Sequence, residues 1–349
     1  MNTRMRAALV GIGLIIGGLA SAATPAVSAP APGVPGFDTI IANGRVIDGS
    51  GSPSYAADVG IRDGRIVAIG KLDGRAAKQR IDAGGKIVAP GFIDMLGQSE
   101  YTIIVDPRVP SKIFQGITTE ITGEGNSAAP MLAGARVWVQ PKLEHFGIKA
   151  DWQTFAEYFA RLERQGIGIN LASYVGATTV RQAVIGDENR PPTADELKRM
   201  QALTRAAMED GARGLSTALE YSPAPYASTG ELVALAAEAS RYGGIYATHM
   251  RSEGDAIDAS LDEVFRIGRE AHIPVEIWHL KVFGKGNWGR MPEVVARIEA
   301  ARRRGIDIGA DTYAYPASFN GLAAFIPPWA HEGGNAKMLE GIRKLPFLK

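Results

Sequence analysis

From Lys86 onward, short apolar runs alternate with stretches of helical periodicity, and few folds accommodate that alternation. Seven runs read as strands, at 87–96, 116–122, 169–175, 214–219, 244–249, 274–281 and 306–313. The segments between them, such as 194–210, 231–241, 260–271 and 291–304, carry 3.6-residue periodicity and frequent acidic starts. Strands and helices in turn imply a parallel sheet with helices outside it. Seven such units, with polar residues at the strand C-termini, predict an α/β chain, a (β/α)8 TIM-type barrel one unit short. No eighth strand is read after Tyr315, where a Pro-rich stretch and a short charged segment lead to Lys349.

Residues 37–86 read differently, as short strands separated by Gly and Asp turns. Asn43-Gly44 and Asp63-Gly64, each between apolar runs, predict two hairpins of a small β domain. Ahead of it, Arg4 and Arg6 precede an apolar run at 7–20 that is short for a bilayer span, and small residues follow. Residues 1–22 are therefore expected to be a signal peptide and 23–36 an Ala/Pro-rich linker. The barrel takes 87–349. The expected location is exported, periplasmic or secreted, with no stable membrane anchor after cleavage. The chain has 349 residues, 46% of them hydrophobic, which suits one large domain with a small one attached. A net charge of +1 argues against nucleic acid as a partner. With no cysteine there is no disulfide and no thiolate ligand.

Catalytic groups of such barrels stand at the C-terminal ends of strands. The fifth candidate strand ends at His249 and the sixth reaches His279, so two imidazoles at matching depth on adjacent strands can meet one metal ion. A third ligand is expected from Glu124, which Gly123 and Gly125 flank. Glu120, Glu100 and Asp94 are its rivals; Glu120 is mid-strand, and Asp94 suits backbone hydrogen bonding at a strand end. Lys281, two residues after His279, shares its face if the strand continues, and suits a substrate carboxylate. Asp311, Tyr313 and Tyr315 alternate at the seventh strand end.

Several motifs together resemble the N-acyl-D-amino-acid deacylases (D-aminoacylases) of the amidohydrolase superfamily. They are Pro-Gly-Phe-Ile-Asp at 90–94, Gln-Gly-Ile-Thr-Thr at 115–119, and the runs 211–221, 246–253 and 279–281. The resemblance implies a metal-dependent hydrolase barrel with a small β-sandwich built from both chain ends. It implies His249 and His279 as metal ligands, and Lys281 and Tyr221, joined by Tyr313 or Tyr315, as substrate-binding residues. Leu96 and Gln98 stand where the family has a His-x-His pair. Gly125 stands where it has a cysteine ligand, with Glu124 beside it. The family's catalytic aspartate lies on strand eight, in a region this sequence does not reach, so the chain is expected to be a fragment and inactive alone.

The resulting expectation is a hydrolase that cleaves the amide bond of N-acyl-D-amino acids with one zinc ion held by Glu124, His249 and His279. One alternative is a cyclic amidase of dihydropyrimidinase or dihydroorotase type, which is disfavoured because the second- and third-strand candidates lack the lysine such enzymes carboxylate. Another is a non-catalytic, ligand-binding relic, which metal content distinguishes from an enzyme.

Overall fold

The computed structural model describes residues 36–344; the expected signal peptide and most of the expected linker lie outside the described residues. The chain divides at Pro90 into two compact units. The first is one five-stranded sheet. It comprises β1 (Phe37–Val46), β2 (Tyr55–Arg62), β3 (Arg65–Gly70), β4 (Ala77–Asp82) and β5 (Ile87–Val88), with order β3-β2-β1-β4 and β5 also on β1. Phe37, Ile40, Ala42, Ala68 and Leu72 form its core. Three expectations are corrected here. Asp63-Gly64 makes the predicted β2–β3 hairpin, with φ of 50° and 69°, but Asn43-Gly44 makes none. Asn43 adopts φ 56° inside β1 and absorbs a register shift against β2, so the left-handed residue serves a bulge instead of a turn. Second, the strand read at 87–96 is two strands. Its first part pairs with β1, and the boundary falls at Pro90 rather than Lys86. Third, among the described residues the small domain is a single sheet and not a sandwich.

The second unit is the barrel. β6 (Phe92–Asp94), β7 (Ile117–Thr122) and β8 (Asn170–Ser173) form one parallel sheet. β9 (Val175–Gly176), β10 (Gly214–Ala218), β11 (Ile245–His249), β12 (Val275–Ile277) and β13 (Ile308–Ala310) form the next, also parallel. The predicted third strand is thus split at Tyr174. That ring is buried with Ala247 and Trp278, and Leu96 packs against this cluster.

Local sequence explains the helices. Thr154 with Glu157 and Thr193 with Glu196 form capping boxes that open Phe155–Gln165 and Ala194–Glu209. Ile257–Glu270 buries Ile257, Leu261, Val264, Phe265 and Gly268 along one stripe. Truncating Leu261, fully buried there, to alanine costs about 2–5 kcal/mol. This packing holds the strand C-termini, and with them the side chains described next.

Candidate metal centre

Three strand ends bring Glu124, His249 and His279 together, with one ligand atom of each within 4.8 Å of the others. His249 is the last residue of β11. His279 lies two residues beyond β12, in the left-handed region at φ 39°. Its N–H donates to Asp311 Oδ1, which holds this uncommon conformation. Glu124 is aimed by its neighbouring glycines. A Cβ on Gly123 would stand 2.4 Å from the Tyr174 carbonyl oxygen, and one on Gly125 2.6 Å from the Ala218 nitrogen. Glu124 Oε1 is 3.3 Å from His249 Nδ1 and 3.4 Å from His279 Nε2. The imidazole rings meet edge to face, with centroids 4.6 Å apart.

The outer nitrogens of both rings face carboxylates. His249 Nε2 is 2.8 Å from Glu220 Oε2, and His279 Nδ1 is 2.9 Å from Glu253 Oε1. Glu220 favours the His249 tautomer that leaves Nδ1 turned toward Glu124, whereas His279 Nδ1 lies between Glu253 and the Lys281 ammonium. Burial pushes the Glu124 carboxyl up, but hydrogen bonds with His249 and His279 outweigh it and hold it at about 2. Burial pushes His249 down, while Glu124 and Glu220 raise it to about 9. His279 is likewise raised, by Glu124 and Glu253 against its burial. Two imidazoles and one carboxylate, His249 buried and the other two half-buried, with further carboxylates around them, are a donor set suited to a divalent cation with nitrogen and oxygen preference.

The centre opens into a cavity of about 800 Å³. All four residues expected to bind substrate line it: Lys281, Tyr221, Tyr313 and Tyr315. Lys281 reaches it by a route the sequence reading missed. The strand has ended at Ile277, and the side chain folds back so that Nζ lies 2.6 Å from Glu253 Oε2 and 3.0 Å from His279 Nδ1. Tyr221 packs edge-on to His249 and donates to Asn320 Oδ1 at 3.2 Å. Burial, then Glu220, pushes its phenol up, so it stays a donor. Tyr313 lies between Lys281 and Tyr315.

The rivals of Glu124 are engaged elsewhere. Asp94 accepts from the Leu96 N–H at 3.1 Å and pairs with Lys112, which also lies 3.4 Å from Glu120. Glu100 accepts from the Gly123 N–H. Leu96 and Gln98 line the cavity, and Gln98 Nε2 donates to Glu124 Oε2 at 2.6 Å. Sequence reasoning gave no role to Glu220 and Glu253. Their only signal was that each stands in one of the motifs at a strand end.

The family model described as "Amidohydrolase family" matches residues 79–337. A barrel that gathers two imidazoles and a carboxylate at its strand ends points to a class, and this match fixes it: the chain belongs to the amidohydrolase family. A D-aminoacylase from Alcaligenes xylosoxydans xylosoxydans is 43% identical over 282 residues, which cover 80% of this chain and 58% of that protein. An N-acyl-D-glutamate deacylase from the same organism is 41% identical over 81% of this chain and 58% of its own length. The crystal structure of N-acyl-D-glutamate deacylase from Bordetella bronchiseptica, complexed with zinc and a phosphonate mimic of the tetrahedral intermediate, superposes with a TM-score of 0.75. It is 38% identical and covers 81% of this chain and 59% of that one. The chain thus spans somewhat under three fifths of the length of these relatives.

Proposed function

We propose that this chain carries the metal centre and substrate anchor of a zinc-dependent hydrolase that cleaves N-acyl-D-amino acids into amino acid and carboxylate. The observation that carries the reading is the convergence of Glu124, His249 and His279 beside Lys281 in one cavity. The named relatives support the substrate class and the metal. Zinc, when bound by these three residues, supplies Lewis-acid polarisation of the acyl carbonyl and acidifies a bound water.

The chain's own residues do the rest. Lys281 pairs with the substrate carboxylate, and Tyr221 and Tyr313 donate to its polar groups. Glu220 keeps the His249 imidazole turned inward, and Glu253 holds Lys281 beside His279. Each carboxylate lining the cavity, among the described residues, is already committed to His249, His279 or Lys281. Asp311 is held behind His279 by its backbone and is absent from the cavity wall. Proton transfer to the leaving amine is therefore the step these residues serve least. Arg4 and Arg6 ahead of the apolar run at 7–20 support an exported protein.

The test is metal content followed by stereoselective binding. After dialysis against zinc, the chain is expected to retain one ion, which His279→Ala abolishes. It should then bind N-acetyl-D-leucine, with N-acetyl-L-leucine at least about tenfold weaker. A chain that retains no zinc is a ligand-binding relic, and the proposal fails.

A further inference from the structure

A second cavity, of about 400 Å³, adjoins the first and shares Gln98 and Glu124 with it. It belongs to the barrel unit, and Met131, Ala135, Trp138, Val139 and Pro141 form its apolar wall, opposite polar residues that include Glu100, Asn126 and Lys142. Two features mark it as more than a packing gap. Trp138 lines it yet remains 39% exposed, an aromatic surface the core does not cover. Several of the polar groups in its wall are also already hydrogen-bonded. Ser127 Oγ donates to the Ala129 carbonyl at 2.6 Å, Gln182 Nε2 to Asp187 at 3.0 Å, and Gln98 to Glu124. Lys142 lies over the Tyr101 ring. Apolar side chains supply most of the surface that remains, which also carries Lys142 and Asn335.

Its place relative to His279 decides what enters it. Lys281 Nζ stands at the Nδ1 edge of that ring, and Glu124 at the Nε2 edge. A substrate with its carboxylate on Lys281 and its carbonyl at the metal must direct its acyl tail away from Lys281, toward Glu124 and Gln98. The second cavity begins there. We infer that this cavity is the acyl-binding subsite, and that the preferred substrates carry an apolar acyl chain of several carbons rather than acetyl. The inference rests on the deacylase reading above.

The probes are N-methanesulfonyl-D-leucine and N-hexanesulfonyl-D-leucine, whose sulfonamide bonds resist hydrolysis, titrated calorimetrically into the zinc-loaded chain. Each fully buried methylene is worth up to about fourfold in affinity, so the hexane compound should bind at least about tenfold tighter. Trp138→Ala and the space-filling Ala135→Phe should each reduce that preference to under about threefold while leaving the methane compound unchanged. Trp138 is partly exposed, so its variant should fold even if Ala135→Phe does not. Equal binding of the two probes by the parent chain, or a preference that survives Trp138→Ala, overturns the subsite. Zinc-dependent binding of neither probe refutes the deacylase reading itself, and the subsite with it.

Discussion

Glu100→Gln should stabilise the protein, and by an amount that depends on pH. Glu100 is buried beneath the Glu124 loop, where its carboxylate accepts from the Gly123 N–H. Burial raises it to about 7 from the ordinary 4.5, and Lys142 opposes this only in part. The folded state therefore holds this proton over a range in which the unfolded chain has released it. The associated stability is full below about pH 4.5 and is lost as pH rises through about 7. The difference amounts to about 3 kcal/mol. Glutamine keeps the acceptor for Gly123 and stays neutral at every pH. Urea unfolding followed by tryptophan fluorescence should give nearly equal stabilities for parent and variant at pH 4.5. At pH 8 the variant should gain up to about 3 kcal/mol. In melting temperature that is roughly 6–12 °C for a domain of this size. An equal effect at both pH values, or a loss at pH 8, would mean that the buried carboxyl is not what titrates.

Three further outcomes follow from the metal centre. Glu253→Gln should weaken zinc about 10–100-fold by freeing the His279 ring, measured by competition with a chelating dye, with the metal-free melting curve little changed. Gly125→Ala should cost about 1–3 kcal/mol in urea unfolding and also weaken zinc, because its φ of +65° and contact with Ala218 force the Glu124 loop to move. Leu96→His combined with Gln98→His should raise the metal content from one ion to two per chain by elemental analysis; a content held at one would show that the packing of position 96 on Tyr174 and Trp278 turns the new imidazole away.

Much of this arrangement was legible because strand ends and helix starts have local causes. The strand positions from Ile117 onward, the acidic start of the helix read at 194–210, and the glycines around Glu124 all act over a few residues. What was not legible depended on distant partners. Asn43-Gly44 has the same local preference as Asp63-Gly64, and only pairing of β1 with β2 on both sides turned it into a bulge. Ile87–Val88 looked continuous with Phe92–Asp94 until β1 claimed it. Glu220 and Glu253 are ordinary acidic residues in sequence, and become partners of imidazoles only when adjacent strands bring the rings to them. Lys281 was assigned to the cavity for strand parity, yet its long side chain takes it there after the strand has ended.

The hydrogen bond from Gln98 to Glu124 also orients the carboxylate. With Oε2 held by an amide, Oε1 is the oxygen that faces both imidazoles. A four-coordinate ion that takes two nitrogens and a single oxygen suits that orientation. Gln98 thus reaches the ion-binding site through the ligand it steers, without touching the ion itself.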